Sequence, residues 1–347
     1  MQKYKQIESQ FDVLGKIKME HKRAVITGAC GTVGSALVGK FINQKNLKLC
    51  LFDNNEEQLF WFSRRLLKHP NYGNLRFFLG DIRDENRMIQ AFSGADVIYH
   101  CAALKHVRLN ELNPFESIKT NVLGVENVIN AAVYNKVSKV IFASSDKSVN
   151  PTSSMGASKL LGERLMIAAN NVVGDQNTAF SCVRFGNILN SSGSVIPIFR
   201  EQLQRNEALT ITDPSMTRFV ITMQSALDLI LFAESKMIGG EIFIANMGAA
   251  GIMDIARALN SGEMPNYRVI GMQAGEKPYE ELVTEAEAVR SYVSENYVVI
   301  LPDGLSDTMP SSVEVFRKLY QVPADFPSGM RSNANLMSWT QISDLIN

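Results

Sequence analysis

The sequence predicts an α/β fold, in which a doubly wound parallel sheet carries a smaller C-terminal lobe. Three observations predict it. Short apolar runs alternate with longer segments of helical periodicity from residue 22 to about residue 185. A glycine-rich turn follows the first apolar run. After about residue 186, turn-rich stretches such as NSSGSVIP and GMQAGEKP replace the alternation, which indicates a less regular lobe.

Each predicted strand of the first half is followed by a predicted helix. The strands read RAVITG, LKLCLFD, LRFFLGD, ADVIYHCA, KVIFASS and AFSCVRFG, and the helices between them read GSALVGKFINQ, NEEQLFWFSRRLLKH, ENRMIQAFSG, NVLGVENVINAAVYN and GASKLLGERLMIAANN. Parallel neighbours need crossover connections, so helices are expected on both faces of the sheet.

The chain divides into three predicted regions. Residues 1–22 form an N-terminal helical extension, because apolar side chains recur there at helical spacing. The sheet domain spans 23–185, with a return segment at about 222–245, and the lobe comprises 186–221 and 246–347. The extension is expected to pack on the body or on a neighbouring subunit, and a membrane-surface helix is the alternative.

Composition excludes several functional classes. Lys+Arg and Asp+Glu balance at 35 each, so no general attraction to nucleic acid or to a membrane surface is expected. No run of about 18 apolar residues occurs, and a cytoplasmic protein without a membrane span is predicted. Cys30, Cys50, Cys101 and Cys182 lack metal-ligand spacing, so they are interpreted as reduced, buried thiols and no metal site is predicted.

A glycine motif between the first strand and the first helix indicates a Rossmann-like, NAD-binding domain. Gly28, Gly31 and Gly34, with Thr32 and Val33 between them, form G-x-x-G-x-x-G. The first glycine permits a tight turn, the second lets a pyrophosphate approach the backbone, and the third lets helix and strand pack closely. The pyrophosphate would face the helix N-terminus, where unpaired N–H groups attract an anion.

The ends of the next three strands supply the other predicted cofactor contacts. Asp53 can accept hydrogen bonds from both adenosine ribose hydroxyls and would repel a 2′-phosphate, which favours NAD over NADP. The alternative for Asp53 is a helix N-cap. Asp81 and Ile82 are placed at the adenine edge, and the small residues Ala102 and Ala103 allow the cofactor to pass closely.

Eight motifs together resemble those of the extended short-chain dehydrogenases/reductases. More narrowly, the chain resembles the nucleotide-sugar 4,6-dehydratases of polysaccharide biosynthesis that act on UDP-N-acetylglucosamine. The motifs are TGACGTVGS, AALKHV, NPFESIKTNVLG, SSDKSVNP, MGASK, VRFGNILNSSGSVIP, TITDPSMTRF and GEKPYEEL, in the order typical of that family across about residues 22–290.

The resemblance implies an internal redox reaction on a bound NAD. A hydride leaves sugar C4, water is eliminated across C5–C6, and the hydride returns to C6. The product is a 4-keto-6-deoxy sugar nucleotide, with or without inversion at C5, for surface glycan biosynthesis.

The resemblance also implies the catalytic residues. Asp146 is the acid and Lys147 the base, which requires a protonated carboxyl and a neutral amine. Ser145 relays a proton from the sugar O4, and Lys159 bonds the nicotinamide ribose. The alternative for Asp146 and Lys147 is an exposed ion pair in a loop, and the alternative for Lys159 is a solvated helix lysine.

Met155 stands where a Tyr-x-x-x-Lys pair would have its tyrosine. A thioether cannot accept a proton as a phenolate can. The resembling dehydratases include a branch with methionine at this place, so Met155 does not imply an inactive protein. We hypothesise that Asp146, through Ser145 or a water, takes the C4 hydroxyl proton and then supplies the proton to the C6 hydroxyl.

Substrate contacts are implied along the second half of the motif series. Lys105 is expected to contact substrate, His106 either to contact it or to form a structural hydrogen bond, and Asn121 to support the active-site backbone. Asn187 is expected to hold a diphosphate oxygen or the N-acetyl region.

The lobe contributes the remaining predicted contacts. Ser194 and Val195 present backbone N–H groups to a phosphate, and Arg218 matches the diphosphate with its guanidinium fork. Thr210 meets the uracil edge, and Glu276 accepts from the uridine ribose. Each could instead be an ordinary exposed polar residue.

Two rival functions stay open. A nucleotide-sugar epimerase shares fold and cofactor but needs no acid at C6, and a non-catalytic NAD-binding scaffold would explain Met155. A homo-oligomer, dimer or hexamer, is expected through helices at about 115–135 and 155–171, where relatives form an interface.

Overall fold

The computed structural model describes residues 22–171, 178–293, 296–302 and 330–346. The predicted N-terminal helix lies outside the described residues. The strands are β1 Arg23–Thr27, β2 Lys48–Asp53, β3 Leu75–Leu79, β4 Val97–His100, β5 Lys139–Ser145, β6 Ala179–Phe185, β7 Asn187–Ile188, β8 Leu209–Ile211, β9 Thr217–Ile221, β10 Ile242–Ala245, β11 Ala249–Gly251, β12 Tyr267–Val269, β13 Glu281–Val283, β14 Ser291–Val293, β15 Tyr297–Ile300 and β16 Met330–Arg331.

Helices connect most of these strands. They are α1 Thr32–Phe41, α2 Glu56–Leu66, α3 Glu85–Ala91, α4 Val107–Leu112, α5 Pro114–Ser117, α6 Gly124–Tyr134, α7 Ser154–Ala169, α8 Val195–Gln204, α9 Met223–Lys236, α10 Ile252–Leu259, α11 Glu285–Ala288 and α12 Trp339–Ile346. A π-helical segment, Ile118–Leu123, joins α5 to α6, and short 3₁₀ turns occur at Tyr72–Asn74 and Asp146–Ser148.

The large sheet has the order β14-β15-β10-β6-β5-β4-β1-β2-β3. The strands from β3 to β10 in this order run parallel. From β1 the chain adds β2 and β3 on one side and β4, β5 and β6 on the other, so the strand order reverses between β1 and β4. The crevice outside the carboxyl ends of these two strands is called the β1–β4 gap. In doubly wound sheets ligands bind at this point, beyond the carboxyl ends of the strands. The predicted α/β fold is confirmed.

Apolar clusters on both faces hold the sheet between two helical layers. One cluster joins it to α1 and α9 through side chains such as Leu37 and Ile230, and the other joins it to α3, α6 and α7 through Met88, Val128 and Met166. Full burial of such a side chain contributes about 1.5–3 kcal/mol. Because both faces are covered, the parallel strands are continuous apolar runs, which is why the sequence predicts them well.

A smaller lobe stands beyond the carboxyl ends of the strands. It contains the three-stranded sheet β11-β9-β7 and the pairs β12-β8 and β13-β16. A third apolar cluster, with Phe199 and Ile342, lies in this lobe, whereas Leu282 and Val283 of β13 belong to the second cluster. One feature differs from the sequence-based division. β14 and β15 complete the large sheet in antiparallel fashion, although they belong to the segment 246–347 that was assigned to the lobe.

Candidate active site

A cleft of about 260 Å³ opens at the β1–β4 gap. The predicted cofactor residues that line it together are Gly28, Gly31, Asp53, Asp81, Ile82, Ala102 and Ala103. Thr32, Val33 and Gly34 do not line it and instead form the first turn of α1. The cleft thus collects the ends of four neighbouring strands, as the sequence predicts.

The glycine motif has the geometry that its spacing predicts. Gly28 has a φ of +65°, and a Cβ there would lie 2.8 Å from the backbone of Ala102. A Cβ at Gly34 would lie 2.1 Å from the Gly28 carbonyl oxygen, so the strand and α1 could not pack as they do. Gly31 is the N-cap of α1, and no side chain caps this helix end. Its first N–H groups are therefore available to an anion.

Asp53 is buried at the end of β2 and anchors the glycine turn. Its Oδ2 accepts a hydrogen bond of 2.9 Å from the Cys30 N–H, and its Oδ1 accepts one of 3.0 Å from the Asn55 N–H. The helix N-cap is Asn55, whose side chain accepts from the Gln58 N–H at 2.9 Å, so the alternative role of Asp53 is wrong. Each carboxylate oxygen has a further lone pair for a ribose hydroxyl.

Asp81 has an arginine partner that the sequence did not reveal. The Arg83 guanidinium donates to its carboxylate at 2.7 Å and also pairs with Glu116 at 2.8 Å. Hydrogen bonds from Arg83 lower the pKa of Asp81 below its usual value. Arg83 is thus neutralised by two carboxylates at the rim of the cleft.

The 3₁₀ turn after β5 carries the predicted catalytic pair. Asp146 is fully buried, and its Oδ1 accepts hydrogen bonds from the Ser145 hydroxyl at 2.8 Å and from Lys147 Nζ at 3.0 Å. Among the described residues, the buried Asp146 Oδ2 has no hydrogen-bond partner. Lys147 Nζ also donates to Asn187 Oδ1 at 3.1 Å. The alternative of an exposed loop ion pair is therefore wrong.

The charge of Lys147 differs from the expectation. Burial lowers its pKa, but the carboxylates of Asp146 and Glu280 raise the pKa by more, and it lies above the usual value. A raised pKa favours the ammonium at neutral pH, whereas the sequence predicts a neutral amine. The prediction considered burial but not the attraction of Asp146 for the amine, to which Glu280 adds as a second carboxylate.

Met155 and Lys159 lie one turn apart at the start of α7. Ser153 caps this helix by accepting from the Gly156 N–H at 3.1 Å, and Met155 is buried. Lys159 is buried too: its Nζ donates to the Ala143 carbonyl oxygen at 2.9 Å and stands 4.6 Å from the centre of the Phe142 ring. Burial lowers the pKa of Lys159 to about 8. The solvated-lysine alternative is wrong.

Asn121 supports the backbone that leads away from β4. Its Oδ1 accepts from the Leu104 N–H at 2.8 Å, and its Nδ2 donates to the Leu104 carbonyl oxygen at 3.0 Å and to the Ser158 hydroxyl at 2.9 Å. The amide thereby ties the strand end to α7, in agreement with its expected supporting role.

The 3₁₀ turn Asp146–Ser148 is called the catalytic turn below, because it carries the predicted catalytic pair. A second cavity, of about 150 Å³, lies where the lobe covers this turn. Its lining comprises Val107, Lys147, Thr152, Ser153, Arg218, Gly275, Glu276, Lys277 and Glu280. Arg218 and Glu276 were predicted from the sequence, and the structure brings both to the cavity that holds Lys147. Glu276 also accepts a hydrogen bond of 2.8 Å from the Gln273 N–H of its own turn.

Glu280 is the residue of this cavity that sequence reasoning missed. It belongs to the motif GEKPYEEL, which drew attention to Glu276 instead. Glu280 is buried, whereas the next residue, Glu281, is half-buried, pairs with the exposed Arg331 and accepts from Asn150. No local pattern distinguishes two consecutive glutamates, because the difference arises from packing of the lobe on the catalytic turn.

The other predicted substrate residues lie around a loop before α8. Lys105 Nζ donates to the Ser192 carbonyl oxygen at 2.7 Å. The His106 ring lies against Gly193, because a Cβ added to Gly193 would be only 2.8 Å from His106 Cε1. Ser194 is the N-cap of α8 and makes no capping bond, and Val195 begins the helix.

Thr210 lies apart from both cavities in the structure. Its N–H donates to Gln202 Oε1 at 3.2 Å, and its hydroxyl accepts from Gln202 Nε2 at 3.0 Å. Its position within β8 also pairs it with Arg268 of β12. The expected contact with a uracil edge would have to replace the bond to Gln202.

Three further observations concern the described part of the chain. Cys50 and Cys182 are buried, Cys30 and Cys101 are half-buried, and all four are free thiols. Within the described ranges no group of three or more His, Cys, Asp or Glu side chains is placed to hold a metal ion. None of the helices described is long and apolar enough to cross a membrane.

The fold and the two cavities define an extended short-chain dehydrogenase/reductase, with a glycine turn at the β1–β4 gap and a lysine on α7. Residues 24–302 match the model of the family described as polysaccharide biosynthesis protein, and the chain belongs to this family. The match confirms the family resemblance that the motifs indicated.

Two of the relatives are named for different reactions. The chain is 38% identical over 285 residues to a UDP-N-acetylglucosamine 4,6-dehydratase (inverting) of Campylobacter jejuni, which covers 81% of this chain and 83% of the relative. It is 39% identical over 288 residues to a UDP-glucose 4-epimerase of Rickettsia bellii, covering 82% and 84%. The family is therefore one of nucleotide-sugar dehydratases and epimerases, and identity alone does not choose between the reactions.

A solved structure agrees over almost the whole chain. The X-ray structure of Pen from Bacillus thuringiensis superposes with a TM-score of 0.84 at 33% identity and covers 94% of this chain and 98% of that one. The similarity extends over both the sheet and the smaller lobe.

Proposed function

We propose that the protein is an NAD-dependent nucleotide-sugar 4,6-dehydratase that acts on UDP-N-acetylglucosamine. The observation that carries this proposal is the adjacent Asp146 and Lys147 at the end of β5, a buried acid and an amine 3.0 Å apart, with Lys147 lining the second cavity. Dehydration needs an acid for the C6 oxygen and a base for the C5 proton on neighbouring positions. The dehydratase name of the Campylobacter jejuni relative supports the same assignment.

The proton steps follow from the contacts around Asp146. The Ser145 hydroxyl, 2.8 Å from Asp146 Oδ1, gives a path by which the sugar O4 proton reaches the carboxylate. Asp146 then holds a proton that it delivers to the departing C6 hydroxyl, which leaves as water. Lys147 takes the C5 proton and returns one to C5 when the 4-keto-6-deoxy product forms. Return to the opposite face would invert C5.

The β1–β4 cleft is the proposed site for NAD, which when bound accepts a hydride from C4 and returns it to C6. Gly28 and Gly31 would border the pyrophosphate and Asp53 the adenosine ribose. The buried carboxylate of Asp53 is the basis for preferring NAD to NADP. Lys159, held below the end of β5, would bond the nicotinamide ribose and favour loss of the O4 proton.

The second cavity is the proposed sugar site. Arg218 would bind the diphosphate there, with Asn187 of β7 and with Ser194 and Val195 at the start of α8. Lys105 and His106 would close that loop over the sugar.

A nucleotide-sugar epimerase is the second candidate, favoured by the name of the Rickettsia bellii relative. An epimerase needs only oxidation and reduction at C4, and the buried Asp146 would then have no partner at C6. A non-catalytic NAD-binding scaffold is less favoured, because a scaffold has no use for a buried acid–amine pair.

Incubation with UDP-N-acetylglucosamine in deuterated water, followed by NMR of the product, distinguishes the three functions. A dehydratase gives a product that lacks the C6 oxygen and carries deuterium at C5, and the coupling constants report the C5 configuration. An epimerase gives a C4 epimer with hydrogen at C5, and a scaffold leaves the sugar unchanged. Either of the last two results would contradict the proposal.

We also propose that the protein is a homo-oligomer that works in the cytoplasm. Large apolar side chains are exposed on the segment that includes α4 to α6 and on α7, among them Leu112, Phe115, Tyr134 and Leu161. Their burial between two subunits would be favourable. Sedimentation of the protein as a monomer would contradict this proposal.

A further inference from the structure

The second cavity contains a buried carboxylate, Glu280, to which the proton steps proposed above assign no role. It is 3% exposed and precedes β13, in the lobe, whereas Asp146 and Lys147 follow β5 of the large sheet. The backbone N–H of Glu280 donates to the Ser332 hydroxyl at 2.9 Å. This bond holds the segment in place without the side chain, so the carboxylate is free to interact with the catalytic turn.

Charged groups from three elements face this carboxylate. Glu280 Oε1 lies 3.7 Å from Lys147 Nζ and 3.9 Å from Arg218 Nε, and Oε2 lies 3.7 Å from Lys277 Nζ. Asp146 is the other acid close enough to act on it. All three separations exceed a hydrogen bond, and Oε2 accepts none from the described residues. A side-chain rotation that moves Oε1 by about 1 Å would bring it into hydrogen-bond contact with Lys147.

We propose that Glu280 is a positioning residue that takes the ammonium proton of Lys147 and holds it while Lys147 acts as the base at C5. One N–H bond of Lys147 breaks and one O–H bond forms on Glu280, so an ion pair becomes a neutral pair and no further reactant is needed. The neutral amine then accepts the C5 proton. Glu280 keeps the proton that it took from Lys147 until the product leaves. This inference rests on the proposed dehydratase function.

The charges around the pair act on this transfer in both directions. The carboxylates of Asp146 and Glu280 raise the pKa of Lys147, which opposes loss of its proton. Burial raises the pKa of Glu280, and repulsion by Asp146 raises it further, against the opposing effect of the three cations. A proton moved from Lys147 to Glu280 relieves the repulsion between two buried carboxylates. The number of protons on the pair stays constant, so this step does not depend on bulk pH.

The test is the pH profile of kcat for Glu280→Gln. In the wild type, activity falls on the acid side only when the pair gains a second proton. In Glu280→Gln the neutral amine arises only by loss of a proton to solvent, so the acid limb moves to higher pH. We expect kcat to fall at least about tenfold at pH 6.5 and to stay within about threefold of wild type at pH 9.5.

Three variants control this measurement. Glu281→Gln removes the neighbouring carboxylate, which pairs with Arg331 at 3.1 Å, and should keep the wild-type acid limb. Glu280→Asp keeps a proton acceptor and should have its acid limb nearer to wild type than to Glu280→Gln. Should Glu280→Gln fail to fold, Glu280→Met removes the acceptor at similar volume and must show the same displacement.

Two results would overturn the inference. Loss of a negative charge beside Lys147 would by itself lower the pKa of that amine, so an acid limb that stays or moves to lower pH shows that Glu280 only holds the ammonium. An equal loss of kcat at every pH shows a structural role. Either result, with wild type forming the 4-keto-6-deoxy product, rejects this inference alone. Absence of that product from wild type rejects the dehydratase function and this inference with it.

Discussion

Met155 is the residue at which this site departs most clearly from a Tyr-x-x-x-Lys pair. It is buried beside the catalytic turn, and its thioether can neither accept nor relay a proton. In the proposed mechanism Asp146 takes the place of the missing phenol. Its carboxylate accepts from the Ser145 hydroxyl and from Lys147, and the bond to Ser145 is the proposed route for the O4 proton.

Met155→Tyr should not increase kcat by more than about twofold, because the proposed proton route does not pass through position 155. The added ring atoms enter a packed position, and overpacking of this kind costs about 1–3 kcal/mol. Steady-state turnover of UDP-N-acetylglucosamine is the measurement, with Met155→Leu as an apolar control of similar size. A tenfold rise in kcat for the tyrosine variant alone would show that the site depends on a missing phenol.

At the scale of elements, the start of α7 fixes the position of the catalytic turn. A Cβ at Gly156 would lie 2.4 Å from the Lys147 carbonyl oxygen, so the helix and the turn touch backbone to backbone. Ser148, in the same turn, donates to Glu163 Oε1 of α7 at 2.8 Å. Glu163 in turn pairs with the buried Arg184 of β6 at 2.7 Å, and Arg184 reaches Glu287 of α11 at 3.1 Å.

Gly156→Ala should therefore displace Lys147 and lower kcat at least about tenfold, since misplacement of a reacting group by about 1 Å can cost far more. Gly39→Ala is the matched control. Gly39 is also a helical glycine, but a Cβ there meets nothing within 4 Å, so kcat should stay unchanged and stability should rise slightly. An unchanged kcat in Gly156→Ala, with Gly39→Ala also unchanged, would show that the contact does not position the catalytic turn.

At the scale of the whole molecule, the lobe completes the candidate site. Lys277 Nζ donates to the Val149 carbonyl oxygen at 2.7 Å, and the Thr152 hydroxyl donates to the Gly275 carbonyl oxygen at 3.2 Å. These bonds hold the segment with Glu280 against the catalytic turn. The sheet thus provides the candidate cofactor cleft and the acid–amine pair, and the lobe provides the wall of the second cavity beside that pair.

The sequence predicts the sheet well because its parallel strands are buried on both faces and therefore stand out as apolar runs. It predicts most residues that line the β1–β4 cleft because glycines and strand-end polar residues have fixed places in this fold. The place of β14 and β15 in the sheet was not predicted, because they lie among turn-rich segments and join the sheet only by long-range pairing. The burial of Glu280 and of the ion pairs around Arg184 was not predicted either, because burial of a charged side chain depends on tertiary packing, which no local pattern encodes.

The pKa of Lys147 could not be predicted from the sequence for the same reason, because it depends on tertiary packing. The sequence predicts desolvation of the amine, and burial does act in that direction. It does not reveal that a glutamate more than a hundred residues away reaches the same cavity and adds to the effect of Asp146, so that the pKa is raised overall. Electrostatic predictions from a motif alone are incomplete wherever distant segments meet.

The measurement that tests the central claim most directly is the reaction of Asp146→Asn with UDP-N-acetylglucosamine, followed both by absorbance of the reduced nicotinamide and by product NMR. If Asp146 takes the O4 proton and later protonates the C6 hydroxyl, both cofactor reduction and dehydration fall by at least about a thousandfold, since each step loses its proton carrier. Asp228→Asn, at a half-buried position on α9 that lines neither cavity, should react as the wild type does. Cofactor reduction at the wild-type rate in Asp146→Asn would contradict the account.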